Sequence, residues 1–265
     1  MRMRLERKML NILDPNQWQL FLLVFARLAG IVFLFPYFNW QGIPAVLRVW
    51  IALMLTYLLC LSLPKGIMIN PASAIEMWFL LLKEAAVGLA LGFLIVLCFS
   101  LFTVAGQLMD VGAGLSLSAV FNPQAGGQVT MLGRFYYLLV LVYYLAINGH
   151  HLFIASIAES YRLIPLDTGI LAQELAGGMG QIFARIFTLA FQIAAPVIVI
   201  LLIMDLALGL IAKTVPQVHV FVEGLPLKIA LALLILGVLL PPMAVAWESL
   251  LDEFSRHIYW FMETW

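Results

Sequence analysis

The sequence predicts an all-α protein that is embedded in a membrane. Of its 265 residues, 64% are hydrophobic and only 11% are charged, and the mean hydropathy is +1.06. A soluble fold could not remove that much apolar surface from water. A membrane-spanning helix needs about 20 mostly apolar residues, and several such runs occur here. We therefore predict one membrane-embedded domain over residues 1–265, with no room for a soluble catalytic domain.

Six apolar stretches are expected to form these helices, and glycine and proline mark the breaks between them. The stretches are Trp18 to Phe38, Ala45 to Leu63, Ile75 to Ala105, Leu132 to Ser156, Ile182 to Ala212 and Leu225 to Trp247. The third and the fifth exceed the usual spanning length, so we expect tilt, a kink or an extension beyond the bilayer. The more polar stretch from residue 167 to 181 has helical character and is expected to be a connector.

Positive charge predicts which side of the membrane each connection faces. The basic run over residues 2–8, together with Lys65 and Arg162, is typical of the cytoplasmic side. Both ends of the chain are therefore expected to face the cytoplasm, which puts the third connection, residues 106–133, on the outer side. The formal net charge is zero, so no nucleic-acid partner is expected.

Charged residues inside the apolar stretches are candidates for assembly or transport. They are Arg27, Lys83, Glu84, Arg185 and Asp205. An ionised group there costs a few kcal/mol, so each side chain should face protein or water and not lipid. Neighbouring helix residues point about 100° apart, so Lys83 and Glu84 need partners on other helices or other chains. Arg27, Arg185 and Asp205 leave two alternatives open: a structural ion pair or position near the headgroups, and a role in a transport path.

No catalytic, cofactor or metal site is predicted. Residues 148–151 read Asn-Gly-His-His, but the two adjacent histidines diverge on a helix and have no further ligand four residues on. We interpret this stretch as a helix terminus or an interfacial segment. Gly114, Ser116 and Ser118 approach a nucleophile-elbow pattern, but a serine occupies the position of the last glycine.

The segment from Pro216 to Pro226 has an alternating pattern. Valines at positions 218, 220 and 222 alternate with other residues, and period-two patterning predicts an extended segment. Lipid offers no hydrogen-bond partner to an extended backbone, so such a segment must be covered by protein or reach water. We therefore predict an assembly surface that includes Pro216, Val220, Gly224 and Pro226.

The third connection, residues 106–133, is unusually apolar and rich in glycine. Its candidate pore-plugging residues are Gly106, Gly112, Gly114, Leu115, Leu117, Phe121, Pro123, Gly126 and Gly127. Glycine allows the backbone to pack in a narrow space, while apolar side chains can fill a pore and exclude water. We predict that this connection is a plug, and the alternative is an ordinary flexible outer loop.

Two segments carry a family resemblance. Residues 204–228, MDLALGLIAKTVPQVHVFVEGLPLK, resemble the hallmark segment of the flagellar biosynthesis protein family FliR and its type III secretion counterparts SpaR and SctT. Residues 112–123, GAGLSLSAVFNP, and the Asn-Gly-His at residues 148–150 are similar to the same family. The early stretch over residues 27–36 also matches, so the resemblance covers roughly residues 15–250. Lys213 stands where the family leads us to expect arginine, which puts any bidentate contact from that position in doubt.

The resemblance implies a subunit of the export gate in the flagellar basal body. Such a subunit would complete a helical channel with FliP-like and FliQ-like chains, next to FlhB-like and FlhA-like components, and unfolded flagellar proteins would pass through it. The family implies helical hairpins, with a FliP-like part at about residues 1–180 and a FliQ-like part at about 181–265. It also puts the third connection inside the closed gate. The alternatives are the equivalent subunit of a virulence-type type III secretion system and, less favoured, an independent small-solute transporter.

Overall fold

The protein is all-α, as predicted from its composition. The computed structural model describes residues 15–38, 43–63, 71, 73–116, 130–166, 172–214 and 220–263. Within those ranges the regular elements are α1 (Pro15–Leu34), α2 (Ala45–Ser62), α3 (Ala74–Ala113), α4 (Met131–Ala146), α5 (Gly149–Leu163), α6 (Ala172–Thr214) and α7 (Val220–Glu263). Pro15 is the first residue of α1 and Pro44 precedes α2, where the missing N–H of proline costs no helical hydrogen bond.

The predicted number of spans agrees with the helices. Five helices in the described part of the chain are long and apolar enough to cross a membrane, and the number rises to six if α4 and α5 together form one span. These two helices meet at a bend of 78°. Asn148, at the bend, has a φ of 58°, and Gly149 begins α5. The interpretation of residues 148–151 as a helix terminus is therefore confirmed.

Several predicted boundaries differ from those of the helices, because helix extends into residues that we predicted to be loop, connector or extended segment. Helix α3 continues to Ala113 instead of ending near Ala105. Helix α6 begins at Ala172, so the predicted connector is helical from that residue on. Helix α7 also continues to Glu263, beyond the predicted end at Trp247. Helix α7 begins at Val220, so the extended structure predicted for the segment ending at Pro226 is wrong over residues 220–226. A helix satisfies its own backbone hydrogen bonds, and in an apolar chain this outweighs the β preference of valine.

The described helices pack into two compact units. The first contains residues 1–96, 153–175 and 258–265, and the second contains residues 97–152 and 176–257. The predicted division into a FliP-like and a FliQ-like part near residue 180 remains a prediction, and the two units do not follow it. Helices α3, α5, α6 and α7 each contribute residues to both units.

Each unit has its own buried core. In the first unit, Leu23, Leu28 and Ile31 of α1 are buried, and Phe35 stacks on Phe153 with ring centroids 3.9 Å apart.

In the second unit, an aromatic cluster surrounds Trp247, which is 2% exposed. Its ring centroid lies 5.7 Å from that of Phe102, 5.9 Å from that of Tyr136 and 5.8 Å from that of Tyr143. All three contacts are edge-to-face, the arrangement that aromatic quadrupoles favour.

Candidate functional site

Arg27 of α1 and Glu84 of α3 form a buried ion pair in the first unit. Arg27 Nε donates to Glu84 Oε2 at 2.6 Å, and Arg27 Nη2 donates to Glu84 Oε1 at 3.1 Å. Both residues are buried, Arg27 completely. Two parallel charge-assisted hydrogen bonds fix the orientation of both side chains. The predicted partner of Glu84 on another helix is therefore confirmed, and Arg27 forms its ion pair within this chain.

The same guanidinium also holds the carboxyl end of α5. Arg27 Nη1 donates to the main-chain oxygen of Ser160 at 2.9 Å, and Nη2 donates to that of Ile164 at 3.0 Å. The Ser160 oxygen also accepts the N–H of Ile164 at 2.9 Å, and both oxygens lie at the end of α5, where the partial negative charge of the helix favours a cation. The guanidinium carbon lies 4.4 Å from the centre of the Tyr161 ring, and the Tyr161 hydroxyl donates to the oxygen of Val24 at 3.1 Å. Arg27 thus connects α1, α3 and α5.

Glycines allow α1 and α3 to approach closely enough for this ion pair. A Cβ atom at Gly88 would overlap the main-chain oxygen of Arg27. A Cβ atom at Gly30 would lie 2.7 Å from the nitrogen of Leu89, closer than real Cβ contacts. Small residues at a contact between membrane helices let the two backbones approach closely. Glu84 and Gly88 are four residues apart, so one face of α3 carries both the charge and the glycine contact.

In the second unit, α3 ends in a glycine-terminated capping motif. Gly114 has a φ of 78°, and its N–H donates to the oxygen of Val111 at 3.2 Å. The N–H of Leu115 donates to the main-chain oxygen of Asp110 at 3.0 Å. This pair of bonds is a Schellman motif, which stops the helix and satisfies two of its last carbonyls. Glycine suits the position because a left-handed backbone is strained for a residue with a Cβ.

The side chain of Asp110 caps the start of α4. The N–H of Leu132 lies 3.1 Å from Oδ1 and 3.0 Å from Oδ2, and the N–H of Gly133 lies 3.2 Å from Oδ2. Asp110 is fully buried. Thr130 stands at the N-cap position of α4, but its side chain makes no capping hydrogen bond. A carboxylate from another helix therefore replaces the usual local cap.

A close backbone contact brings this carboxylate into place. A Cβ atom at Gly106 would lie 2.5 Å from the Cα atom of Gly133 and 2.6 Å from the oxygen of Leu132. Asp110 lies one helical turn beyond Gly106, so its side chain points along the same face of α3 toward the first turn of α4. The entry and exit of the α3–α4 connection therefore meet at one residue.

The chain can now be compared with known proteins. Residues 18–254 match the family described as bacterial export proteins, family 1. The chain belongs to this family. The flagellar biosynthetic protein FliR of Bacillus subtilis is 37% identical over 221 residues, which cover 82% of this chain and 84% of the relative. FliR of Caulobacter vibrioides is 32% identical over 237 residues, covering 88% of this chain and 94% of the relative.

A relative with a different name also matches. The surface presentation of antigens protein SpaR of Shigella flexneri is 29% identical over 218 residues, covering 80% of this chain and 82% of the relative. The resemblance to the FliR family inferred from residues 204–228 and 112–123 is confirmed by these matches and by the family assignment.

The predicted plug residues of this export-family chain divide into three groups. Gly106 and Gly112 lie within α3, so their assignment to a loop is wrong. Gly114 and Leu115 lie in the turn that follows α3. The remaining candidates, Leu117, Phe121, Pro123, Gly126 and Gly127, lie outside the residues that the structure describes. The helix continues through Gly106, and the absence of a side chain there makes room for the contact with Gly133.

Two further predicted charges form ion pairs between α6 and α7. Arg185 Nη2 contacts Glu253 Oε1 at 2.8 Å, and Lys228 Nζ contacts Asp205 Oδ1. The side chains of Arg185 and Asp205 are 46% and 47% exposed in this chain. Burial of these two pairs within the single chain is therefore excluded, and any burial of Asp205 requires other subunits.

The other predicted assembly residues have varied surroundings. Lys83 is half-buried, while Lys213 in the last turn of α6 is exposed. Gly224 is buried in α7, where a Cβ atom would lie 2.9 Å from a methyl carbon of Leu208. Pro226 is exposed within α7, and Val220 is the first residue of that helix. Pro216 lies outside the described residues.

The Asp205 pair gives a testable prediction. Asp205→Leu should lower recovery of the assembled export complex, because Lys228 then lacks its carboxylate partner within an apolar stretch of α7. The charge-swapped double variant, Asp205→Lys with Lys228→Asp, should restore part of that recovery. The measurement is the yield of intact complex by size-exclusion chromatography. Equal yields of parent and Asp205→Leu would contradict the role of the pair.

The sequence did not identify Asp110 as a functional residue. Our prediction ends the third apolar stretch at Ala105, which places Asp110 in a loop, where an aspartate needs no protein partner. A usable signal was present, since Leu108, Met109 and Val111 continue the apolar run past Gly106. An acid inside a continuing apolar helix requires a partner.

Among the described residues, no three of the His, Cys, Asp and Glu side chains lie close enough together to hold a metal ion.

Proposed function

We propose that this chain is a subunit of the flagellar type III protein export gate. It completes a helical channel with FliP-like and FliQ-like subunits in the bacterial inner membrane, within the flagellar basal body. FlhB-like and FlhA-like export components are its further neighbours, and unfolded flagellar subunits are the cargo. The observation that carries the proposal is the 37% identity to FliR of Bacillus subtilis over 82% of this chain.

The lengths of the helices support a role in a larger assembly. The candidate spans in α3, α6 and α7 contain 40, 35 and 38 residues. At 1.5 Å per residue, helices of this size are roughly 50 to 60 Å long, whereas the hydrocarbon core of a bilayer is about 30 Å thick. Helices that extend so far beyond a bilayer need other protein to cover their apolar ends. Neighbouring gate subunits supply that cover.

We further propose that the α3–α4 connection is the plug of the gate. Its support is the apolar, glycine-rich composition of residues 114–130 and the meeting of both ends at Asp110. A plug that is fixed at both ends can fill a pore at rest and yield to cargo without unfolding the helices on either side.

A deletion tests the plug. Removing residues 117–128 leaves Asp110, Gly114 and the first turn of α4 in place, so the complex with FliP-like and FliQ-like subunits should still form. The assembled particle should conduct ions in a planar bilayer more readily than the parent particle does. Conductance equal to that of the parent, with the particle present, would reject the plug.

Shigella SpaR, which is 29% identical, favours a virulence-type secretion system as the second candidate. Complementation separates the two systems: restored motility in a strain without its own FliR supports the flagellar gate, and restored secretion in a strain without SpaR supports the virulence system. An independent small-solute transporter would instead purify as a monomer that takes up solute. Failure to recover FliP-like and FliQ-like partners would contradict the proposed gate.

A further inference from the structure

Two ion pairs join α6 and α7 within the second unit, and they lie at different levels along the helices. Arg185 pairs with Glu253, and Asp205 pairs with Lys228. The earlier residue on α6 pairs with the later residue on α7, so the two helices run antiparallel. We call these two helices the α6–α7 hairpin. The ion pairs mark two levels along it.

The section between these two levels carries no charged side chain on either helix. Residues 186–204 of α6 and residues 229–247 of α7 are each 19 residues long and contain no Asp, Glu, Lys or Arg. At 1.5 Å per residue, each run is about 28 Å long, which matches the hydrocarbon core of a bilayer at about 30 Å. Charges resume beyond both levels, at Lys213, Glu223, Glu248, Asp252 and Arg256.

The outward faces of this uncharged section are apolar. On α6, buried residues recur every three or four positions and form the packed face: Ile186, Ala190, Ala194, Val197 and Leu201. Large apolar side chains that are more than half exposed stand on the remaining surface of the same run: Phe187, Phe191, Val199, Leu202 and Ile203. On α7 the exposed set is Leu234, Val238 and Val245. The section therefore presents an apolar surface about as tall as the hydrocarbon core.

We propose that this section of the α6–α7 hairpin crosses the bilayer when the chain is inserted on its own. Lipid acyl chains then cover its outward side chains, and one ion pair lies at each headgroup layer. An ionised group costs a few kcal/mol among acyl chains but is solvated by water and phosphates among the headgroups. The exposure of Arg185 and Asp205, 46% and 47%, suits that level.

This placement decides which part of each long helix lies in the membrane. Helices α6 and α7 contain 43 and 44 residues, so less than half of each lies in the hydrocarbon core. The last turns of α6 and the first turn of α7 extend beyond the level of Asp205 and Lys228. The inference concerns the single chain and does not rest on the proposed export function.

Depth measurements with nitroxide labels test the placement on the full chain in nanodiscs. After Cys60 and Cys98 are replaced by alanine, single cysteines carry the label at Phe187, Phe191, Val199, Ile203 and Leu210. Collisions with oxygen report acyl chains, and collisions with a nickel chelate report water. The oxygen-to-nickel ratio should be highest at Phe191 and Val199, near the middle of the section, and about tenfold lower at Leu210.

A label on the packed face is the matched control for lipid contact. Val197→Cys should give few collisions with either reagent, because Val197 is fully buried. Equal ratios at Leu210 and Val199 would overturn the placement. Few collisions with either reagent at Phe191 and Val199 would show that protein, such as a second copy of the chain, covers this face, and would overturn the contact with lipid.

Removing one ion pair tests whether the pairs set the depth. Asp205→Leu with Lys228→Leu extends the uncharged run to residue 212 on α6 and back to residue 224 on α7. A label at Leu206 should then enter the acyl region, so its oxygen-to-nickel ratio should rise about threefold. The matched control is Glu159→Leu with Arg162→Leu, a pair on α5 outside the hairpin, which should leave the ratio unchanged. No rise in the first variant, or an equal rise in the control, would overturn the role of the ion pair.

Discussion

Replacing Arg27 with alanine is expected to lower the free energy of unfolding by about 3–5 kcal/mol, because Glu84 would remain buried without its counter-charge. The loss exceeds that of an ordinary ion pair because the guanidinium also serves the oxygens of Ser160 and Ile164. Removing it leaves the end of α5 without these donors. The measurement is a denaturation curve of the purified chain in a fixed detergent, followed by helical circular dichroism.

A double variant separates charge burial from the other contacts of Arg27. Arg27→Met with Glu84→Leu removes both charges and keeps apolar volume, so it should be more stable than Arg27→Ala. It should remain less stable than the parent, since the α5 carbonyls still lack their donor. Arg27→Lys should also fall below the parent, because an ammonium group cannot reproduce the planar fork that reaches Glu84 and α5 together. A fully stable Arg27→Ala would refute this account.

Several features of this fold follow from residue chemistry alone. Arg27 and Glu84 each sit in an apolar stretch, so burial with a partner on another helix was predictable from the cost of an isolated charge. The sequence alone did not predict that Arg27 and Glu84 pair with each other. Arg27 also had no visible link to α5, because the oxygens of Ser160 and Ile164 are main-chain atoms that every residue possesses. Sequence reveals which residue needs a partner, but packing decides which atom supplies it.

Glycine caused the main error in locating the candidate plug. Clustered glycines at and after Gly106 indicate a loop when each is treated as a local helix breaker. In this chain Gly106 is a contact surface, and the helix continues to Ala113 because the absent side chain makes room for Gly133. Helix α3 ends at Ala113, and Gly114 follows it with a positive φ, a backbone conformation that favours glycine. A glycine that ends a helix and a glycine that contacts another helix cannot be distinguished in a single sequence, because the distinction depends on the opposing helix.

The error at residues 220–226 has a similar origin. Alternating valines favour a strand when a neighbouring strand is present for their side chains to pack against. No strand occurs in the described ranges to provide such a partner, and α7 contains the whole of 220–226. The helical backbone satisfies its own hydrogen bonds, so it does not need the covering partner that we predicted for an extended segment. The assembly role of this segment remains a prediction that now concerns one face of α7.

Replacing Gly88 with alanine is expected to destabilise the first unit by about 1–3 kcal/mol, near the upper end, because the new methyl group would overlap backbone atoms of Arg27. A side chain can rotate away from such a clash, whereas a helix backbone has to move as a whole. Separating α1 from α3 also lengthens the hydrogen bonds between Arg27 and Glu84. The substitution therefore damages the packing and the ion pair together.

A matched glycine shows that the effect comes from the contact and not from the substitution. At Gly237 in α7, a Cβ atom would meet nothing within 4 Å, so Gly237→Ala should be neutral or more stable by up to about 1 kcal/mol through helix propensity. The same detergent denaturation measures both variants. If the Arg27 contact is the cause, combining Gly88→Ala with Arg27→Ala should cost less than the sum of the single losses, because both break one interaction. Strict additivity, or equal behaviour at Gly88 and Gly237, would show that the close approach of α1 and α3 does not position the ion pair.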